Sequence, residues 1–401
     1  MIVGGGPAGC SAAIRLAAGG ARVLLAERKQ FPRPKLCGEF ISPECLAHFA
    51  RLGVLDDLLY AGGASIDETL FFAPSGKHLR VPSAWLARGE SPSRHAALGL
   101  SRAEMDARLL ARARAVGVEV REETSATGLL VEGGAVSGVR LRRAGGEEET
   151  CRAAVTIDAT GRVRALARFV PQSGENQRAR LKKRRATLVA FKVHLTHAGE
   201  ASDGACEIYF YRGGYGGLNR VEGGVSNLCF IAEARAVRVA GSDPERVMRE
   251  IVMTNRRAAA TLAGARVVSD WLSVAIDEFG PRELLPMRGL LAVGDAASFI
   301  DPFTGSGMLM ALESGMLGAD VIIAELAGEK ELDLDRLGAT YRARYEEKFG
   351  ARLRFCAMLR RLAFAPRAIA ELAVVAFGAS ERVRLFLTRG TRPADKAHLA
   401  R

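Results

Sequence analysis

The opening stretch "MIVGGGPAGCSAAIRLA", residues 1–17, decides the fold. Met1, Ile2 and Val3 are strand formers, and from Cys10 small and apolar residues run on at helical spacing through Ile14 and Ala17. Between the two lie Gly4, Gly6 and Gly9 in a GxGxxG pattern, with Pro7 and Ala8 inside it. A strand, a turn without side chains and a helix N-terminus make an anion cradle, because the first N–H groups of a helix are unpaired and its dipole favours negative charge. A second strand-like run, "ARVLLA" at 21–26, ends at Glu27, 18 residues past Gly9. A dinucleotide fold sets its ribose-binding carboxylate at about that separation. The fingerprint reads as dinucleotide and leaves NAD and FAD open.

Residues 290–313, "LLAVGDAASFIDPFTGSGMLMALE", repeat the theme. A buried strand ends at Gly294 and Asp295. A loop with Asp301, Pro302, Gly305 and Gly307 follows, and a long helix begins near Met308. Unpaired N–H groups at that start suit the negative charge of a reduced isoalloxazine ring.

The chain has 401 residues, which allows two or three domains and a large core. Its net charge is +12, and no nucleic-acid module motif accompanies it, so no nucleic-acid partner is expected. Seven scattered cysteines without CxxC argue against a disulfide framework and against zinc, and fit a reducing cytoplasm. The opening lacks a basic leader and does not read as a signal peptide. No run of 18 uncharged apolar residues occurs, so no transmembrane helix is expected. His194 and His197 form HxxH on a strand-like segment, where alternation puts them on opposite faces; no metal site is expected.

Between the two glycine motifs the pattern is interleaved. A helix is expected from about Pro43 to Leu52, and "TLFFAPSGKHLRVP" reads as a hairpin. Ser101 and Glu104 read as a capping box for a helix at 102–116. Strands are expected at about 118–123, 127–142 and 150–158, with turns at "EGGA" (132–135) and "AGGEE" (144–148). The segment 162–185 holds nine Lys or Arg against one Glu and reads as a solvated basic linker. Residues 186–280 alternate like antiparallel strands, with one helix near 244–264. The C-terminal region reads as amphipathic helices broken at Pro366, packed as a bundle on the substrate domain or presented to a membrane surface.

Taken together, "VGGGPAGCSAA", "LSRAEMDARLL", "IDATG" at 157–161 and "VGDAASFIDPFTGSGM" resemble the FAD-dependent aromatic hydroxylase and geranylgeranyl reductase superfamily. The resemblance covers nearly the whole chain. It implies an α/β architecture: a Rossmann-type, three-layer β-β-α FAD-binding domain (1–60, 95–185 and 281–330), an inserted antiparallel-sheet substrate domain (61–94 and 186–280) and C-terminal helices (331–401). It also implies that Gly4, Gly6, Pro7, Ala8 and Gly9 approach the FAD pyrophosphate and that Glu27, followed by Arg28, takes the adenosine ribose. By the same resemblance Arg102 lies near the ribityl chain and pyrophosphate. Asp158 and Gly161 bound a chain crossing beside the cofactor. Gly294 and Asp295 meet the ribityl hydroxyls, and Pro302, Gly305, Gly307 and Met308 lie beside the flavin ring.

"RPKLCGEFISPECL" is similar to the K-x-C-G segment of the reductase branch through Lys35, Cys37 and Gly38, which implies a cysteine close to the flavin. Reductases of that branch carry Tyr-x-Trp-x-Phe-Pro over the substrate, where this chain has Tyr215, Gly216 and Gly217. Tyr209, Tyr211 and Tyr215 read as pocket residues or, as alternating aromatics on a sheet more often are, as core, and Cys37 and Tyr215 are the candidate catalytic residues. Flavin halogenases need Trp-x-Trp-x-Ile-Pro; the only tryptophans here are Trp85 and Trp271, so halogenation is not expected. No second nucleotide fingerprint appears, so NAD(P)H is expected to visit the flavin transiently. The missing reductase signature favours an NAD(P)H-driven monooxygenase acting on a hydrophobic or aromatic small molecule. The alternative is reduction of carbon–carbon double bonds in an isoprenoid or other lipid. A cytoplasmic enzyme with peripheral membrane contact is the expected setting.

Overall fold

The computed structural model describes residues 1–87, 96–171, 186–198, 202–277, 279–328, 332–364 and 367–392. A five-stranded parallel sheet runs in the spatial order Leu290–Ala292, Thr156–Asp158, Ile2–Val3, Leu24–Ala26 and Glu119–Arg121. Strand alternation sorts its side chains into two cores. Ile2, Leu25, Ile157 and Leu291 meet the helices Pro7–Ala18, Arg102–Ala115 and Gly307–Leu326 on one face. Val3, Ala26 and Leu290 meet Leu129, Val136, Val139 and Leu141 on the other. These last belong to an antiparallel meander of Thr124–Glu132, Ala135–Arg143 and Glu148–Arg152. The result is the expected three-layer β-β-α arrangement.

The second large sheet is mostly antiparallel. Its central strands are Ala205–Tyr211, Gly214–Arg220, Ser226–Glu233 and Leu188–Thr196, and the hairpin Glu68–Phe72 with His78–Pro82 extends one edge. One face packs on a core that includes Phe191, Val193, Tyr209, Tyr211 and Phe230. The opposite face carries Ala190, Phe210, Tyr215 and Ile231.

Several local expectations change on folding. The single strand expected at 127–142 is two strands, joined by the turn at Gly133 and Gly134, both with positive φ. The helix expected near 244–264 is broken into Pro244–Glu250 and Arg256–Leu262. Asn255 breaks it: its side chain accepts from Arg257 and Ala258 N–H and donates to the carbonyls of Phe72, Ala73 and Phe210. The capping box is half made. Ser101 Oγ accepts the Glu104 N–H at 3.2 Å, but the Ser101 N–H goes to Glu222, from the second sheet, at 2.8 Å. Glu104 pairs with Arg108 instead.

Helix Gly307–Leu326 is long and apolar enough to cross a membrane by length and composition. It packs instead against helix Pro7–Ala18, so closely that a Cβ on Gly315 would stand 2.2 Å from the Ala8 carbonyl oxygen. Of the basic segment 162–185, residues 172–185 lie outside the described residues, as does Pro366. The described part is no simple solvated face, because Arg162 and Arg168 line a cavity.

Candidate active site

The cavity, of about 1200 Å³, lies where the parallel sheet, the second sheet and the last helices meet. Drug-sized ligands occupy about 300–1,000 Å³. Room for a dinucleotide and a further apolar molecule is therefore available.

One end is built by the opening motif. Gly4 takes φ +109°, and a Cβ there would stand 2.3 Å from the Ala159 carbonyl oxygen, so neither the angle nor the space admits a side chain. Gly6 is different. A Cβ on it would meet nothing nearer than Arg102, at 3.9 Å, because it opens onto the cavity. No side chain caps the helix start at Gly6, and none caps the helix start at Ser306. Both leave N–H groups facing the cavity for an anion. Glu27 is buried, and its two carboxylate oxygens accept the N–H groups of Gly5 at 2.8 Å and Lys29 at 2.9 Å.

Cations complete this end. Arg102 is buried and donates two bonds to Asp106, at 2.9 and 2.7 Å. Burial alone would lower its guanidinium, but Asp106 overrides that and raises it, so it stays charged. Lys35 lines the same wall; burial lowers its ammonium, reinforced by Arg102 and Arg33 and opposed by Asp295. Burial raises the Asp295 carboxyl, and Lys35, Arg102 and Arg162 oppose the rise.

Of the candidate cofactor residues, Gly4, Gly6, Pro7, Ala8, Glu27, Arg28, Lys35, Cys37, Arg102, Gly161, Gly294, Asp295, Pro302, Gly305, Gly307 and Met308 all line the cavity. Gly9 and Asp158 stand behind its wall. Gly9 lets helix and turn close up, since a Cβ there would be 1.9 Å from the Gly4 carbonyl oxygen. Asp158 Oδ1 accepts the Thr160 N–H at 3.0 Å and hydroxyl at 2.6 Å, which shapes the crossing at 159–161. Burial raises its carboxyl.

The other end is apolar and aromatic. The Phe303 ring lies 5.5 Å from Tyr215, 5.7 Å from Phe210 and 5.9 Å from Phe71. The Tyr215 hydroxyl donates to Asp301, and burial followed by the Asp301 charge pushes it well above the usual phenol range. Tyr209 and Tyr211 do not line the cavity. Their hydroxyls bond Glu207 and the Ile231 carbonyl inside the opposite core.

Cys37 lines the cavity in the loop that carries Lys35, and this loop touches the second sheet. The Cys37 carbonyl accepts the Asn227 side-chain N–H at 3.2 Å, from the second sheet, and its sulfur accepts the Glu39 N–H at 3.4 Å. Sequence reading missed the groups that hold this loop. Glu39 is 1% exposed with φ +53°. It accepts from the Arg102 N–H at 2.8 Å, from His194 Nε2 at 2.7 Å and from Lys192. Lys192 and His194 are two apart on one strand, so they share the face turned to the loop. The period-two spacing was visible in sequence; what it faced was not.

Residues 1–344 match the family model described as an FAD binding domain. The chain belongs to this family. It is a flavoprotein and an FAD-dependent oxidoreductase. It is 27% identical over 356 residues to digeranylgeranylglycerophospholipid reductase of Methanosarcina mazei, covering 87% of this chain and 81% of that protein. It is 28% identical over 364 residues to digeranylgeranylglycerophospholipid reductase 2 of Methanopyrus kandleri, covering 88% and 84%. Among solved structures, the fold is shared with a geranylgeranyl bacteriochlorophyll reductase-like protein of Thermoplasma acidophilum, at TM-score 0.77 and 20% identity over 97% of this chain and 94% of that one. A flavin-dependent brominase shares it at TM-score 0.75 and 20% identity, over 96% and 92%.

Proposed function

We propose that this flavoprotein reduces carbon–carbon double bonds in a long apolar, isoprenoid-type molecule, with NAD(P)H as the electron donor. The observation that carries the reading is the position of Cys37 on the wall of one cavity that is also lined by the glycine-rich turn and by the aromatic cluster of Phe210, Tyr215 and Phe303. The curated relatives above, named as reductases of a digeranylgeranyl lipid, support it. FAD, when bound, supplies the hydride. The protein's part is to hold the acceptor carbon against the ring, keep water out and place a proton source opposite. Phe210, Tyr215 and Phe303 pack an alkene without competing hydrogen bonds, since the Tyr215 hydroxyl is taken by Asp301. Cys37, Cys206 and Cys229 all line the cavity; Cys37, in the loop between Lys35 and Glu39, is the one assigned to give a proton to the second carbon.

Oxygenation of a hydrophobic or aromatic molecule is the second reading, and the cavity face at Gly217 favours it. A glycine stands there where the reductase branch carries its substrate-covering aromatic signature. One assay separates the two. NAD(P)H oxidation is followed with dissolved oxygen, in the presence of geranylgeranyl lipids or of phenols. Under strict anaerobiosis, isoprenoid-dependent NAD(P)H oxidation with a product heavier by two hydrogens per double bond is expected. Substrate turnover that stops without oxygen, with one oxygen atom in the product, would sink the reductase reading.

Peripheral membrane contact belongs to the same proposal. The helices Arg367–Gly378 and Glu381–Gly390 line the cavity with Val374, Phe377 and Leu387. On their outer sides Leu372 and Phe386 are each 68% exposed, with Ile369 and Val375 about half exposed. These exposed apolar side chains, on helices whose other side lines the cavity, support the membrane-facing reading of this region. The FAD-loaded protein is expected to float with anionic vesicles at low salt and to lose that binding in Leu372→Ser/Phe386→Ser. Wild-type protein that stays in the bottom fraction at low salt removes membrane contact from the proposal.

A further inference from the structure

Glu39 holds a backbone conformation that glycine would take without steric cost. Its φ of +53° lies in the left-handed region, and a residue with a side chain stays there only where its surroundings hold it. The contacts of Glu39 show what holds it. Its buried carboxylate accepts the N–H of Arg102, the first residue of helix Arg102–Ala115, and bonds from Lys192 and His194 of the second sheet. Burial would raise this carboxyl, but the hydrogen bonds from His194 and Lys192 outweigh burial and lower it, so Glu39 stays an anion. The sheet is ordered to match. His194, Asn227 and Asn219 stand in one row across three adjacent strands. Each gives a side-chain bond to the same loop: His194 to the Glu39 carboxylate at 2.7 Å, Asn227 to the Cys37 carbonyl at 3.2 Å and Asn219 to the Glu39 carbonyl at 3.3 Å. Lys192, two residues from His194 on the same face, also donates to the Lys35 carbonyl at 3.3 Å. The loop is thus gripped at Lys35, Cys37 and Glu39. A contact that only joined two layers would be served as well by apolar side chains, because a buried ion pair adds little net stability. What buried charges add is register, since any other placement of the loop leaves one of them unpaired.

We propose that Glu39 is the positioning residue of the site: it fixes Cys37 on the cavity wall by tying that loop at once to helix Arg102–Ala115 and to the second sheet. The task given to the thiol rests on the double-bond reductase reading; its placement does not. Glu39 reaches no reacting atom itself and acts through Cys37, whose sulfur accepts the Glu39 N–H at 3.4 Å.

The test uses FAD-loaded protein and two readouts. Alkylation of Cys37 by iodoacetamide is followed by peptide mass spectrometry, with Cys151, on the antiparallel meander, as internal reference. The two half-reactions are then followed separately without oxygen: reduction of the flavin by NADPH, and its reoxidation by geranylgeraniol. Glu39→Gly keeps the left-handed backbone free of strain but leaves Lys192 buried without its carboxylate, so the variant used is Glu39→Gly/Lys192→Met. It is expected to keep FAD and to reduce it at the parent rate. Cys37 alkylation is expected to rise about tenfold against Cys151 as the loop is released. Reoxidation by geranylgeraniol is expected to fall about 10²-fold, the usual effect of a group displaced by about 1 Å. Glu39→Gln keeps an acceptor for the Arg102 N–H and loses the charge; it is expected to move both readouts the same way by less, and it serves if the double variant does not fold. A folded variant with Cys37 alkylation at the parent rate overturns the proposal. Equal loss in both half-reactions overturns it too, because Glu39 then places the cofactor rather than the thiol. A parent that is not reoxidised by geranylgeraniol is a different result. It removes the reductase reading, while alkylation still decides whether Glu39 places Cys37.

Discussion

Gly6→Ala and Gly9→Ala are both expected to yield protein without FAD, and for different reasons. A Cβ on Gly9 would stand 1.9 Å from the Gly4 carbonyl oxygen and 3.1 Å from the Ala159 Cβ. The first neighbour is backbone and cannot rotate away. The helix must back off from the turn, at about 1–3 kcal/mol or more of stability, as overpacking usually costs. A Cβ on Gly6 touches nothing nearer than 3.9 Å, so the fold tolerates it. It stands instead in the cradle where the pyrophosphate must approach the helix N-terminus. The expected pattern is a lowered melting temperature with no flavin for Gly9→Ala, and a near-native melt of the apoprotein with at least a tenfold weaker FAD affinity for Gly6→Ala. FAD released by acid precipitation gives the stoichiometry. A Gly6→Ala protein that holds FAD as tightly as the parent would show that the cofactor's phosphates lie elsewhere.

The second large effect is at Cys37. Cys37→Ser is expected to keep FAD and to keep its reduction by NAD(P)H, while double-bond reduction falls. A positioned proton donor is worth about 10²–10⁴-fold, and a serine hydroxyl in the same place is a much weaker acid than a thiol. The loop itself stays in place, because Asn227 holds the residue's carbonyl and Glu39 is anchored by Lys192 and His194. The split between an intact flavin half-reaction and a lost substrate half-reaction is what marks the thiol as a proton donor. If Cys37→Ser turns over isoprenoid as the parent does, the donor is another group. If it instead loses FAD, Cys37 matters to cofactor binding. In an oxygenating enzyme the thiol has no required role, and a thiol beside a reactive oxygen species is an oxidation liability.

Much of the site was legible because it is local. The GxGxxG turn, the acidic residue after the second strand and the glycine-rich start of Gly307–Leu326 each depend on backbone geometry within one short segment. That is why sixteen of the eighteen cofactor positions expected from sequence line the cavity. The two others, Gly9 and Asp158, are also local in origin, but they shape the turn from behind. The tyrosines show where parity helps. Tyr209 and Tyr211 share one face of a strand, and the turn at Arg212 and Gly213 puts Tyr215 opposite Phe210, on the other face. Given the turn, alternation separates Tyr215 from the other two, and packing then decides that the Tyr215 face meets the cavity.

The sequence by itself determined the strand–turn–helix units, the parallel sheet they form and the glycine-rich turn that lines the cavity, since these follow from glycine conformations and hydrophobic period read over a few residues. Only the tertiary structure decided what lies across the cavity from that cradle. Ser101 gives its N–H to Glu222 rather than to its own capping box, because packing of the second sheet brings the Glu222 carboxylate, from a turn between two of its strands, to 2.8 Å while Glu104 turns to Arg108. Glu39 lies 153 residues from Lys192 and 155 from His194, and nothing in either segment announces the other. The last helix, Glu381–Gly390, looks like an ordinary amphipathic helix until Arg384 and Thr388 are found lining the cavity beside Leu387. Pairings at such separation are set by how whole elements pack, and a one-dimensional pattern carries the period of a face without saying what the face will meet.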